Sequence, residues 1–127
     1  MSLVPDNLFY TATHEWVKID GDTAICGITD FAQKELSDIV YVDITEIGKE
    51  LKPGDRFGTI EAVKTVSDLY IPISGEIIEV NEILKTAPET INQDPYGKGW
   101  IIKIKIKDKE ELKSLMTASD YKKHIGE

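Results

Sequence analysis

Apolar and polar residues alternate with a period of two along most of the chain, and that pattern predicts strands rather than helices. The clearest run is 99-GWIIKIKIK-107, which puts Trp100, Ile102, Ile104 and Ile106 on one face and Ile101, Lys103, Lys105 and Lys107 on the other. A half-buried strand with a row of lysines suits a sheet edge, where charge discourages pairing with other chains. A basic docking stripe is the functional alternative. Similar but less regular runs are 14-HEWVKI-19, 23-TAICGI-28, 39-IVYVDI-44, 56-RFGTIEAV-63, 69-LYIPI-73 and 76-EIIEVN-81. Turn signals separate them: Asp20-Gly21-Asp22, Pro53-Gly54-Asp55 and Ser74-Gly75.

Helical spacing is rare. One short helix is expected over 30–38, opened by Thr29 or Asp30, with Asp30 and Gln33 in capping-box spacing. A second runs from Lys109 to Met116, where Leu112, Leu115 and Met116 recur at i, i+3 and i+4. A third covers 120–125, capped by Ser119, and both C-terminal helices are expected to lie against the outside of a sheet. The segments 53-PGDRFGTIEAV-63 and 72-PISGEIIEVNE-82 rhyme weakly, as if two similar β-motifs met at a hairpin 64-KTVS-67. Many short strands with evenly spaced turns predict a mainly β sandwich or flattened barrel with short helices, including a C-terminal helical segment.

Composition narrows the function more than the fold. The 127 residues suit a single domain, 1–127, able to bury a core without staples. Fifteen basic residues against twenty-three acidic give a net charge of −8, which repels phosphate backbones and anionic lipid, so neither nucleic acid nor membrane is expected as a partner. No apolar stretch reaches the roughly 18 residues of a membrane span, and the N-terminus lacks a signal-peptide pattern, so a cytoplasmic protein is expected. A monomer is the separate expectation for its oligomeric state. Cys26 lies in an apolar run and reads as a small buried hydrophobe. His14-Glu15 opens a metalloprotease-like pattern, but Lys18 stands where the second histidine is needed, so no metal site is expected. No Ser-His-Asp, Cys-His or phosphate-cradling pattern occurs at usable spacing, and catalysis by the chain itself is not expected.

One lysine stands apart, in 61-EAVKTVSD-68, between strand-forming runs and flanked by valines whose restricted χ1 stiffens the backbone. The plain reading of Lys64 is a solvated surface charge. The chemical reading is an amine held out on a rigid hairpin for an acylating enzyme. At this point the chain resembles the H proteins of the glycine cleavage system, from about Leu8 to the C-terminus. The resemblance is carried by 14-HEWVK-18, 27-GITDFAQKELSDIVYVDITEIG-48, 61-EAVKTVSD-68, 72-PISGEIIEVN-81 and 88-PETINQDPYGKGWI-101. Two positions depart from the family pattern: Ala62, where serine is usual, and Ser37, where glycine is frequent.

The resemblance implies a barrel-sandwich hybrid of the lipoyl-domain kind, with lipoate in amide linkage on Lys64 as N6-lipoyllysine. It implies a non-catalytic shuttle visiting three enzymes, a glycine decarboxylase (P protein), an aminomethyltransferase (T protein) and dihydrolipoamide dehydrogenase (L protein), besides the enzymes that attach lipoate. An aminomethyl thioether can expel thiolate when its amine is neutral and then hydrolyse to formaldehyde and ammonia. A nearby carboxylate favours the ammonium form and so protects the cargo. By resemblance, Glu15 and Asp68 form an anionic cradle with Thr13 as hydrogen-bond partner; each could also be an ordinary surface group. His14 reads as structural, Trp16 and Trp100 as core, and the loop of Asn92, Pro95, Tyr96, Gly97 and Gly99 as a wall of the cleft. Two rivals are an H-like relay that passes lipoyl or octanoyl groups to other acceptors, and an unmodified β-sandwich binding module.

Overall fold

The computed structural model describes all 127 residues. Nine strands form two antiparallel sheets. The larger has the order β1 (Phe9–Tyr10), β2 (Glu15–Asp20), β3 (Thr23–Ile28), β9 (Ile102–Ile106), β8 (Gly75–Val80) and β5 (Glu50–Leu51). The smaller has β6 (Arg56–Ala62) between β4 (Ile39–Ile44) and β7 (Val66–Tyr70). The main core lies between the sheets and joins alternate residues of each, among them Ala24, Cys26, Ile60, Leu69, Ile77, Ile102 and Ile104. Cys26 is 1% exposed, and burial pushes its thiol pKa well up, so it acts as the small hydrophobe expected. No helix is long and apolar enough to cross a membrane.

The lysine-rich strand is not an edge. β9 sits between β3 and β8, because its outward lysines meet glutamates across the ladder: Lys105 opposite Glu76, and Lys103 opposite Glu79 with an ion pair of 3.5 Å. Opposite charges facing each other across a ladder stabilise it, so the row that would protect an edge is neutralised by a neighbour. Ile101 precedes the strand and is fully buried rather than outward, and Trp100 is only half-buried, with Lys103 Nζ 5.0 Å from its ring centroid. Trp16, at 1% exposure, is core as expected.

The helices differ from the pattern in extent, and the last one differs in its cap. α1 spans Asp30–Leu36, with Thr29 Oγ1 accepting from Ala32 N–H at 3.1 Å and Gln33 Nε2 donating to Asp30 Oδ1 at 2.8 Å. It stops at Ser37, whose φ of 63° and ψ of −145° fall where glycine is at home. The expected helix 109–116 is a 3-10 turn, Lys109–Ser114, because Met116 leaves it to form a two-way β-bridge with Tyr10. α3 spans Ala118–His124 and is capped by Thr117, not Ser119. It buries Ala118 and Tyr121 against Val4, Leu8, Tyr10 and Trp16 as a second core on the outside of the larger sheet. The pattern did not signal α2 (Thr90–Gln93), the 3-10 turn Glu82–Lys85, or the two-residue strands β1 and β5. The hairpin around residue 64 joins two strands of the smaller sheet, and the chain passes to the other sheet later, through the buried residues Ile71–Ser74.

Candidate functional site

Lys64 stands at the tip of the β6–β7 hairpin. Ala62 N–H donates to the Thr65 carbonyl at 2.8 Å and closes the turn, while Val63 N–H donates to the Asp38 carbonyl at 3.0 Å and ties the tip to the segment after α1. The tip is therefore anchored at its base and open at its end. Lys64 and Thr65 are exposed, and Val63 and Val66 are 67% and 62% exposed. Lys64 takes part in none of the eight ion pairs. A free amine on a stiff turn is what an acylating enzyme needs, so the residue fits an amide-linked cofactor.

Beside the hairpin a cleft of about 320 Å³ opens between β7, α1 and the β1–β2 loop. Thr13, Glu15, Phe31, Glu35, Ser67 and Asp68 are among its lining residues. Three of the residues singled out in the sequence, Thr13, Glu15 and Asp68, thus meet in one cavity, although β2 and β7 belong to different sheets. Lys64 is four residues from Asp68 along the hairpin, roughly 13 Å at about 3.3 Å per residue. An acylated lysine side chain is long enough to fold back over that distance.

Glu15 is 2% exposed. The hydroxyls of Thr11 (2.7 Å) and Thr13 donate to its Oε1, and Tyr70 N–H approaches its Oε2 at 3.4 Å. Burial pushes its pKa up to about 7, while these hydrogen bonds pull the other way and lose. Asp68 differs. Its carboxylate is exposed and faces Arg56 at 3.9 Å and the Tyr70 hydroxyl at 3.4 Å. The cleft therefore holds one acid whose charge is costly and one that stays hydrated.

His14 lines the cleft and stands in an unexpected conformation: its φ is 72°. For a non-glycine residue this region costs about 1–2 kcal/mol. Its Nδ1 lies 2.7 Å from the Tyr121 hydroxyl. The loop of Asn92, Pro95, Tyr96, Gly97 and Gly99 is not a wall of the cleft. It braces α1 and β2 from behind: Asn92 holds Ile39 N–H and the Ser37 carbonyl, the Pro95 carbonyl accepts from Trp16 Nε1, and the Tyr96 hydroxyl accepts from Asp30 N–H. Gly99 is required there, since a Cβ would lie 2.7 Å from the Asp94 carbonyl oxygen. Thr11, a hydrogen-bond donor to Glu15, was not singled out in the sequence. Its one signal is a hydroxyl four residues before a buried acid at a turn, which is too common to notice.

Three comparisons agree with this geometry. The family model described as glycine cleavage H-protein matches residues 8–127. A glycine cleavage system H protein of Halothermothrix orenii is 51% identical over 98% of this chain and 97% of its own length. One from Carboxydothermus hydrogenoformans is 50% identical over 100% of this chain and 98% of its own. The crystal structure of a glycine cleavage system H protein from Mycobacterium marinum superposes with a TM-score of 0.86 at 38% identity, covering 98% of this chain and 100% of that one. With a β-hairpin lysine beside an acidic cleft and full-length likeness at this level, the chain belongs to the glycine cleavage H-protein family.

Proposed function

We propose that this chain is the lipoyl carrier of a glycine cleavage system, with lipoate attached to Lys64. It takes the aminomethyl group from a glycine decarboxylase to an aminomethyltransferase, and electrons to dihydrolipoamide dehydrogenase. The observation that carries the attachment point is the anchored tip: Lys64 is exposed on a turn closed by its own backbone and tied to Asp38, between two exposed valines. Exposed apolar side chains around a free amine suit a surface that a modifying enzyme covers.

When attached, the dithiolane supplies a redox-active pair of sulfurs that can accept a carbon fragment and two electrons. The chain's own residues do the rest. The hairpin presents the arm at one end and the cleft receives it at the other, so cargo is held near the protein instead of being released to solution between encounters. In the cleft, Glu15 and Asp68 face a cationic amine and favour its protonated form, and Thr13 holds the Glu15 carboxylate in place. An ammonium nearby also draws Glu15 to its anionic form, because the two charges stabilise each other. No group of the chain is asked to make or break a bond. The net charge of −8 steers docking toward basic patches on the partner enzymes.

Glycine–bicarbonate exchange with a purified glycine decarboxylase tests the proposal. Lipoylated protein is expected to support exchange and Lys64→Arg to support none. Lipoylated protein that passes its acyl group to other acceptors but supports no exchange would instead mark the chain as a relay.

A further inference from the structure

The loop carrying Thr13 and Glu15 is gripped by Tyr121 and His124 of α3, which stand outside the cleft, with His14, itself a cleft-lining residue, as one of the two points of contact. We propose that α3 is a positioning element for the Glu15 carboxylate, with Tyr121 and His14 as positioning residues that lock the bend at His14 and so fix how the next side chain enters the cleft. The inference rests on the cleft reading of Glu15 given above and adds the residues that hold it there.

β1 and β2 are joined through a turn closed by His14 N–H to the Thr11 carbonyl at 3.1 Å, and Thr11 N–H donates to the Glu15 carbonyl at 3.0 Å. His14, at the end of this turn, is the left-handed residue, a place glycine ordinarily takes in such hairpins. Glycine would form the bend with less strain, so backbone stability alone gives no reason for a histidine. The reason lies in the ring. It packs between Phe31 and His124, with centroids 5.0 and 5.6 Å away, and its Nδ1 meets the Tyr121 hydroxyl at 2.7 Å. That hydroxyl is also 2.8 Å from Thr29 Oγ1, which accepts from Ala32 N–H.

One arrangement leaves no hydroxyl proton unpaired: Thr29 donates to Tyr121, and Tyr121 donates to a neutral His14. Burial and the neighbouring His124 hold the His14 pKa below its ordinary value, against the opposing pull of Glu35, which agrees with a neutral acceptor. Tyr121 is itself fully buried and stacked on Tyr10 at 4.8 Å, so its hydroxyl is a fixed post. From the same helix His124 Nε2–H donates to the Ala12 carbonyl at 3.0 Å. α3 thus grips the turn at Ala12 and at His14, on either side of Thr13 and directly before Glu15.

Carboxyl-carbon NMR titration of the unmodified protein tests this, without lipoate or partner enzymes. In the native chain Glu15 is expected to titrate near 7. Tyr121→Phe keeps the stacked ring and removes the hydroxyl; His14→Gly keeps the bend and removes the ring. Each is expected to lower the Glu15 midpoint by about one pH unit as the turn loosens and water reaches the carboxylate. Ser119→Ala, on the exposed side of α3, is expected to leave it unchanged. If Tyr121→Phe fails to fold, His124→Ala carries the test beside His14→Gly, because it removes the hold on the Ala12 carbonyl from outside the cleft and is expected to lower the midpoint as well. An unchanged midpoint in folded His14→Gly overturns the proposal. A Lys64 that is never acylated would leave the titration readable, so the two readings fail separately.

Discussion

At the scale of single residues, Glu15 carries the most physical information. A buried acid whose folded pKa is raised binds its proton more tightly in the folded chain than in the unfolded one. The resulting stability is fully present below the ordinary pKa of 4.5 and is lost as pH rises to about 7. The shift corresponds to roughly 3 kcal/mol. Glu15→Gln is therefore expected to remove this loss from the stability–pH curve over that window and to be more stable than the native chain at pH 8, as read by urea denaturation. The depressed His14 pKa contributes a slope of the opposite sign in this window, so the readout is the difference between the native and Glu15→Gln curves. A difference that does not change between pH 4.5 and 7 would contradict the burial argument. The same substitution weakens the cradle, so loaded Glu15→Gln and Asp68→Asn proteins are expected to release formaldehyde faster than the native protein; unchanged half-lives would remove the cradle. Residue chemistry was only partly legible in the sequence. Lys64 was marked by its flanking valines and motif, but the burial of Glu15 and the exposure of Asp68 depend on how two sheets meet, which no local pattern encodes.

At the scale of elements, α1 shows how a short helix can be well started and poorly stopped. Its N-cap is Thr29, one of the two caps the sequence offers, but the Asp30–Gln33 spacing does not make a capping box: Gln33 Nε2 donates to the Asp30 carboxylate while Asp30 N–H donates to the Tyr96 hydroxyl. Its end falls on Ser37 in a conformation that suits glycine. Ser37→Gly is expected to stabilise the protein by about 1 kcal/mol, visible as a raised thermal midpoint; a destabilised variant would mean that the Ser37 side chain contributes something its backbone geometry does not explain. Strand identity was readable from period two, since the face of β9 with Ile102 and Ile104 is the buried one. Its place in the sheet was not, because a lysine row looks the same at an edge as beside a glutamate-bearing neighbour such as β8. The segment 109–116 was misread for a related reason: its apolar spacing is helical, but the long-range bridge from Met116 to Tyr10 takes its last residue away.

At the scale of the whole molecule, the two sheets divide the work. The smaller sheet carries the hairpin with Lys64, and the larger sheet, braced by α3, carries Glu15. The cleft lies where they meet, so the separation of Lys64 from Glu15 is set by the core between the sheets together with the β1–β2 turn. The sandwich class and the helical C-terminus follow from strand and turn spacing, whereas the pairing of β3 with β9 and of β9 with β8 joins segments far apart in the chain and is visible only once they are folded. The central claim is that one amine, that of Lys64, receives the cofactor. Incubation with a lipoate–protein ligase, lipoate and ATP, followed by peptide mapping in a mass spectrometer, tests it most directly. The expected result is a single lipoyl group on the peptide containing Lys64 and none on Lys64→Arg. Label on any other lysine, or none on the folded native chain, would contradict it.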